Sequence, residues 1–199
     1  SFYGRDLNDG TTLARLLKEL VKIDNVKWIR LFYLYPTYFD DELLEIITKE
    51  EKICKYVDIP LQHISDSVLR RMHRRDSSQS IKKLLKKLRN TTPYITIRTT
   101  LMVGFPGETE ADFKELLTFI KAVKFDNMGA FTYSAQDGTP AARMVDQVTE
   151  EIKENRYHEL MAAQAEISEE NNRNLIGVDT EVLVEELSLI HISEPTRRR

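Results

Sequence analysis

The sequence predicts an α/β protein in which the strands of a parallel sheet alternate with single helices. Four short runs rich in β-branched and aromatic residues are each followed by a stretch with apolar residues at helical spacing. The chain is 41% hydrophobic and 31% charged, as in an ordinary globular domain. Strands separated by single helices favour β/α units. Because four strands are too few to close a full barrel, we expect an open sheet or a partial barrel.

The first elements are predicted from the spacing of apolar residues and from residues that suit helix caps. Residues 13–21 predict a helix because leucines recur at helical spacing after Asp9 or Thr11, either of which suits an N-cap. Residues 26–34 are rich in β-branched and aromatic side chains and predict the first strand. The next helix begins near Asp40, where leucines and isoleucines again fall on one helical face.

The remaining elements repeat this alternation. Strands are predicted over residues 56–59, 94–103, 127–134 and 180–186, and helices over residues 65–73, 77–90, 109–123 and 149–174. Thr109 with Asp112 resembles a capping box that carries Asp in place of Glu. Four lysines, at positions 82, 83, 86 and 87, predict a solvated helix face, with an RNA contact as the alternative.

Composition excludes several classes of protein. The 29 basic and 32 acidic residues give a net charge of −3, which argues against a chain built around nucleic-acid phosphates. No apolar stretch reaches the roughly 20 residues of a membrane helix, and no leader-like segment opens the sequence. The single cysteine, Cys54, excludes an internal disulfide and predicts a buried, inert thiol. The four histidines have no metal-ligand spacing.

Unusual residues cluster directly after each of the first four predicted strands. They comprise Tyr35-Pro36, residues 60–63, residues 104–108 and residues 133–140. Because the carboxyl ends of parallel strands share one edge of the sheet, these loops predict a ligand site there. Asp58 and Arg98 lie within strands; if they face inward they must pair or bind a ligand, whereas outward they would be solvated.

Gly104–Glu108 is the most informative loop. Two glycines allow close backbone approach, Pro106 stiffens the turn, and the N-terminus of the following helix faces the same edge. This combination suits the polar or anionic part of a cofactor, although a tight strand-to-helix turn would need the same residues. Gln62 and His63 follow another strand, where a side chain could reach a nucleoside, although a turn histidine is often structural.

Three strings, over residues 54–74, 97–113 and 133–148, together resemble the methylthiotransferases of the radical S-adenosylmethionine (SAM) superfamily. The likeness extends over residues 1 to about 187. The strings LFYLYPTYFDDELLEII and DIPLQH are similar to the branch that modifies an aspartate of ribosomal protein S twelve. The branch that modifies an adenosine beside the tRNA anticodon is the alternative.

The resemblance implies SAM and two 4Fe-4S clusters in the parent protein, one of them bound by CxxxCxxC. This chain contains neither that string nor the further cysteines, so we expect it to be a fragment that is inactive alone. The implied partners are ribosomal protein S twelve of the small subunit and a flavodoxin-like or ferredoxin-like electron donor, in the cytoplasm and without a membrane.

The resemblance also implies roles for individual residues. Gln62 and His63 would lie near the nucleoside of SAM, and Arg98 would meet its carboxylate if it points into the barrel. The wall around adenine would be formed by Gly104, Phe105, Pro106, Gly107 and Glu108, and the site rim by Tyr133 and Ser134. None of these is a catalytic acid, base or nucleophile, nor a metal ligand, so the protein contributes positioning.

The resemblance divides the chain into four parts. Residues 1–148 would form the last four strands of a radical SAM partial barrel, and residues 149–175 a connecting helix. Residues 176–187 would open a C-terminal β domain of the TRAM type. Separately, residues 188–199 have no periodicity and resemble translated adapter or vector sequence, so we expect a non-native tail, with an ordinary frayed terminus as the alternative.

Overall fold

The computed structural model describes residues 3–4, 6–7, 9–92 and 94–182. Helices and strands alternate along this part of the chain as predicted. The elements are α1 (Leu13–Leu20), β1 (Ile29–Leu31), α2 (Asp41–Lys49), β2 (Ile53–Asp58), α3 (Asp66–Arg71), α4 (Ser78–Thr91), β3 (Thr96–Val103), α5 (Glu110–Val123), β4 (Asn127–Thr132) and α6 (Glu150–Arg173). Two short 3-10 turns, Pro36–Tyr38 and Ala141–Arg143, were not predicted.

The four strands form one sheet in the order β1-β2-β3-β4, and every neighbouring pair is parallel. This confirms the predicted parallel α/β architecture. Asp58 of β2 pairs with Arg98 of β3, which pairs in turn with Asn127 of β4. Within the described residues the sheet is open, since its order ends at β1 and β4.

The two faces of the sheet differ in burial, as β3 illustrates. Ile97, Leu101 and Val103 are fully buried beneath the helices, together with Thr99, whose hydroxyl donates to the carbonyl of Ile59 at 2.9 Å. The alternate residues of β3 are only partly buried and line the opposite, concave face. Because side chains alternate along a strand, this face presents Arg98 and Met102 on one side of the sheet.

Helix α6 belongs to the same core as the sheet. Leu160 and Ile167 are buried, and the Gln164 amide donates to the carbonyl of Phe125 at 2.9 Å. Phe125 meets Phe119 of α5 edge-on, with ring centroids 5.7 Å apart. The sequence predicted this helix correctly over residues 149–174, and the structure adds that it packs against α5 and β4.

Several predicted boundaries differ from the structure. Strand β1 is limited to three residues because its register with β2 is irregular between Ile29 and Leu31. Strand β2 begins at Ile53, earlier than predicted, because Ile53 already pairs with Ile29 of β1. Thr12 caps α1 through its side chain, so the prediction of Asp9 or Thr11 was wrong.

Smaller predictions have mixed outcomes. Cys54 is only half-buried, so the expectation of a buried thiol was wrong. The four-lysine face of α4 is exposed, and the capping box of α5 is present. The strand predicted over 180–186 lies outside the described residues beyond Val182, as does the tail 188–199. No helix in the described part of the chain is long and apolar enough to cross a membrane.

Candidate functional site

The loops after β1 and β2 meet at the carboxyl edge of the sheet around Arg74, which follows α3. Its guanidinium lies over the ring of Tyr35, 4.2 Å from the ring centroid, and donates to the carbonyl of Pro60 at 2.9 Å. Asp76, 3.6 Å from Arg74, also accepts a hydrogen bond from the Thr37 hydroxyl at 2.6 Å. These contacts confirm that the first two of the predicted loops converge.

A cavity of about 340 Å³ opens at this edge, above the ends of β2 and β3. Its lining comes from the β2–α3 loop, the segment after α3, the end of β3 and the segment after β4. The lining residues are Gln62, Arg71, Met72, His73, Arg74, Met102, Phe105, Thr139, Pro140, Ala141 and Met144. A concave, mostly apolar cavity with a few polar groups is typical of a small-molecule site.

Aromatic packing forms the wall of this cavity. Phe105 and Tyr133 meet edge-on with centroids 5.1 Å apart, and both pack against the buried side chain of Val68. Met102 and Met144 pack against the same cluster. The wall is therefore rigid where the aromatic rings interlock and adaptable where the unbranched methionine side chains complete it.

Gln62 is held at the cavity by the backbone. Its amide donates to the carbonyl of Thr100 at 2.9 Å, and its carbonyl accepts from the amide of Met102 at 2.7 Å. Its φ of 69° lies in the left-handed region, which costs a residue with a side chain about 1–2 kcal/mol. Strained residues of this kind concentrate at functional sites.

Both glycines of the Gly104–Glu108 loop have a backbone conformation that disfavours a side chain, and Gly104 also lacks the space for one. Both glycines have positive φ, 76° and 80°, and a Cβ at Gly104 would collide with the side chain of Lys153. A Cβ at Gly107 would collide with the guanidinium of Arg71. The Glu108 carboxylate closes the loop by accepting from the amides of Gly104 at 2.6 Å and Phe105 at 3.3 Å.

His63 and Glu108 belong to a buried polar network behind the cavity. The Nδ1 atom of His63 accepts from the amide of Ser65 at 3.0 Å, so the neutral ring carries its proton on Nε2, 3.9 Å from Glu108 Oε2. Arg156 Nη1 donates to Glu108 Oε1 at 3.0 Å. The Ser65 hydroxyl donates to Asp112, which links the network to α5.

Burial controls the ionisation of this network. It lowers the pKa of His63 from its ordinary 6.5 to about 4, so the ring is neutral near pH 7. Burial also raises the pKa of Glu108, against the opposing effect of Arg156 and two backbone amides. At Asp112 burial again acts to raise the pKa, but hydrogen bonds from Ser65 and Thr109 outweigh it and lower the pKa overall.

Arg98 lies on the concave face, where its Nη1 atom donates to both carboxylate oxygens of Asp58 at 3.1 Å. Asp58 is fully buried, whereas the Arg98 side chain is 38% exposed. The sequence left open whether Asp58 and Arg98 face inward or outward. In the structure they face inward and pair with each other. Arg98 precedes Met102 by four residues on the same face, which corresponds to roughly 13 Å along an extended strand.

The predicted site residues therefore occupy distinct positions. Gln62 and Phe105 line the cavity, and Tyr133 supports Phe105 from behind. The side chains of His63 and Glu108 are turned into the buried network, whereas Arg98 lies deeper on the concave face. The cavity lining does not include Gly104, Pro106 and Gly107 of the packed loop, nor the exposed Ser134.

The sequence missed part of the lining. Met72 and His73 follow a helix end, and Met102 belongs to a strand, so none carries a glycine or proline signal. Thr139 and Pro140 fell within a predicted loop, but Ala141 lies just beyond it. The positive φ of His73, 54°, is the backbone feature that returns this segment to the cavity.

Comparison with known families agrees with this geometry. The family model described as the radical SAM superfamily matches residues 1–120, more than half of the chain. The chain belongs to the radical SAM superfamily. The matched region includes the first three strands and the loop at Gly104–Glu108, which borders the cavity.

Curated relatives of this radical SAM chain share about half of its residues. The chain is 53% identical over 183 residues to ribosomal protein uS12 methylthiotransferase RimO from Pelobacter propionicus, and 51% identical over 183 residues to the protein of the same name from Geotalea uraniireducens. Each match covers 92% of this chain and 41% of the relative. The chain thus spans about two fifths of the length of these relatives.

Solved radical SAM structures share the fold at low sequence identity. Coproporphyrinogen III oxidase (HemN) from Escherichia coli matches with a TM-score of 0.63 and 20% identity, over 78% of this chain and 36% of that one. The radical SAM methyltransferase TsrM from Kitasatospora setae matches with a TM-score of 0.53 and 20% identity, over 65% and 26%. These likenesses support the radical SAM fold.

Proposed function

We propose that this chain supplies the later strands of the SAM-binding barrel of an enzyme that adds a methylthio group to an aspartate of ribosomal protein uS12. The observation that carries the proposal is the identity of about one half to uS12 methylthiotransferases over 92% of the chain. The small ribosomal subunit, in the cytoplasm, would be the partner of the whole protein.

The cavity fits the nucleoside part of SAM. Phe105 and Met102 offer an apolar wall for the adenine ring. The side-chain carboxamide of Gln62 can donate to and accept from a base edge or a ribose hydroxyl. Arg71 and Arg74 add positive charge at the cavity. When bound, SAM supplies the radical-generating and methyl-donating chemistry of the superfamily, and these residues bind and orient it.

Arg98 is our candidate for the carboxylate of the methionine part of SAM. It lies on the same concave face as Met102, roughly 13 Å further from the cavity along an extended strand. The buried carboxylate of Asp58 holds the Arg98 guanidinium in a fixed orientation. A fixed guanidinium binds a planar carboxylate with less loss of conformational freedom than a mobile one.

An iron–sulfur cluster does not fit the residues of this chain. Its only cysteine is Cys54, whereas a 4Fe-4S cluster is held by several thiolates. Among the described residues, no group of three or more His, Cys, Asp or Glu side chains could hold a metal ion. We therefore assign the clusters, and contact with a flavodoxin-like or ferredoxin-like electron donor, to the rest of the whole protein.

A chimaera tests the proposed substrate. The matching 183-residue segment of the Pelobacter propionicus relative is replaced by that of this chain, and the purified protein is incubated with SAM, a reductant and a sulfide source. Reactions contain either uS12 within small subunits or unmodified tRNA. We expect mass spectrometry to detect one methylthio group on a uS12 aspartate and none on tRNA. Modification of tRNA adenosine alone would contradict the proposal.

A further inference from the structure

The Gly104–Glu108 loop packs against two charged residues of α6, Lys153 and Arg156. The Lys153 side chain, 4% exposed, covers Gly104 so closely that a Cβ there would collide with it. Arg156 is 7% exposed, and its Nη1 donates to both the side chain and the carbonyl oxygen of Glu108, at 3.0 and 3.2 Å. The loop borders the cavity through Phe105.

Burying the Arg156 guanidinium costs free energy, so its contacts must compensate for that cost. A guanidinium loses its hydration in such a position and must regain the free energy from partners of good geometry. Glu108 supplies two of them, and Glu110 adds a carboxylate 3.6 Å from Arg156 Nη2. The Arg156 Nε atom has no hydrogen-bond partner among the described residues. The contacts of Nη1 with Glu108 and of Nη2 with Glu110 therefore set the orientation of the guanidinium.

Glu108 transmits this constraint to the cavity wall. Its Oε1 atom faces Arg156, while its Oε2 atom accepts from the amides of Gly104 and Phe105. Moving the carboxylate would therefore move the backbone that carries the Phe105 ring. A charged carboxylate accepts such hydrogen bonds more strongly than a neutral acid does, so the ionisation of Glu108 matters to the wall.

We propose that Arg156 of α6 is a positioning residue, which keeps the Glu108 carboxylate in place and thereby sets the cavity wall at Gly104 and Phe105. The relevance of Arg156 to SAM binding rests on the function proposed above. The contact between Arg156 and Glu108 is independent of that function. The proposal adds a dependence of the cofactor cavity on a helix that lies outside the three sequence strings that carry the family resemblance. Removal of Arg156 then loosens the wall without removing any group that lines the cavity.

The backbone amides of Gly104 and Phe105 report the state of Glu108 directly. Both donate to the carboxylate, so their proton chemical shifts change when Glu108 takes up a proton. The groups that face Glu108 are His63 from the β2–α3 loop, Arg156 from α6 and, through Arg156, Glu110 from α5. Of these, Arg156 is the charged group that favours the ionised carboxylate, so its loss should make Glu108 easier to protonate.

The test is a pH titration of the 199-residue chain by amide NMR, with Arg156→Met against the matched control Arg173→Met. Arg173 lies on the same helix, its side chain is 71% exposed, and within the described part of the chain its ion pair is with Glu169. We expect the protonation midpoint at Gly104 and Phe105 to rise by about one pH unit or more in Arg156→Met and to stay unchanged in Arg173→Met. An unchanged midpoint in folded Arg156→Met would overturn the proposal.

Two further variants keep the test decisive. Glu108→Gln should abolish the titration at both amides; if it persists, another group is responsible and the proposal fails. Should Arg156→Met not fold, Arg156→Lys takes its place, since it keeps the charge but cannot donate in the same forked geometry. The midpoint should then rise by a smaller amount, and no rise would again overturn the proposal. A failure of SAM binding would challenge the proposed function and leave the NMR result standing.

Discussion

At the scale of single residues, the site depends on buried groups whose charge is set by their surroundings. His63 is fully buried and neutral; its Nδ1 atom accepts from the amide of Ser65, and its Nε2 atom lies 3.9 Å from Glu108. Because burial disfavours the protonated ring, the folded protein resists protonation that the unfolded chain accepts readily. The consequence is a stability that depends on pH in a range set by the pKa of His63 in the two states.

His63 should make the chain less stable as the pH falls from about 6.5 to about 4. The unfolded chain, with the ordinary pKa of 6.5, binds the proton first, whereas the folded protein binds it only near pH 4. The pKa difference of His63 contributes about 3 kcal/mol to the free energy of unfolding. This contribution is fully present above pH 6.5 and is lost by about pH 4. We expect the difference in unfolding free energy between the native chain and His63→Asn to shrink by that amount.

Urea denaturation at several pH values measures this difference. The exposed His158, on α6, provides the matched control His158→Asn. Subtracting the control corrects the His63→Asn difference for the loss of an imidazole from the exposed surface. A constant difference for His63→Asn across the same range would show that the imidazole is not a buried neutral group.

At the scale of elements, the site is formed where a loop packs against a helix that follows it much later in the chain. Gly104 and Gly107 allow the loop to lie against Lys153 and Arg71. Glycine is required at position 104 for two separate reasons, the positive φ and the lack of space for a Cβ. The chain offers a way to separate them, because Gly138 has a similar φ of 82° but open space where a Cβ would lie.

Gly104→Ala should destabilise the chain more than Gly138→Ala. Both substitutions place a side chain in the left-handed region, at about 1–2 kcal/mol. Only Gly104→Ala must also displace the buried stem of Lys153, so we expect a total loss of about 2–4 kcal/mol. Thermal unfolding of the two variants measures the difference. Equal losses would mean that the loop is not pressed against α6.

Local features of these elements could be predicted from the sequence, whereas long-range contacts could not. The capping box of Thr109 and Asp112 depends on residues three apart, and it is present as predicted. The pairing of Glu108 with Arg156 joins residues 48 apart in sequence. No local sequence pattern around Glu108 or Arg156 indicates that the two side chains meet. Lys153 could not be predicted either. A lysine in a polar helix predicts solvent exposure, whereas Lys153 is buried against Gly104.

At the scale of the whole molecule, the open sheet and the single cysteine define what this chain can supply. The segments that follow β2, β3 and β4 form the cavity at the carboxyl edge of the four-stranded sheet. The parallel sheet and the convergence of the loops were predictable because parallel β/α units put all strand ends on one edge. The cavity lining was only partly predictable, since Met72 and Met102 owe their position to how α3 packs on the sheet.

The isolated chain should not assemble a 4Fe-4S cluster. Anaerobic incubation with iron, sulfide and a thiol reductant should leave no more than trace iron after desalting, because one cysteine cannot hold the cluster. Iron analysis and visible absorbance measure the outcome, and the chimaera described above provides the positive control. Four iron and four sulfide ions per chain would refute this expectation.

The most direct measurement is the affinity of that chimaera for SAM when the cavity is altered. Met102→Glu adds a negative charge beside Phe105, whereas Thr118→Glu adds the same charge on the exposed face of α5, away from the cavity and from Arg98. Titration calorimetry should show a dissociation constant for SAM at least about tenfold higher in Met102→Glu, corresponding to about 1.4 kcal/mol. Thr118→Glu should bind SAM as the unaltered chimaera does. Equal affinity in all three proteins would contradict the assignment of this cavity to SAM.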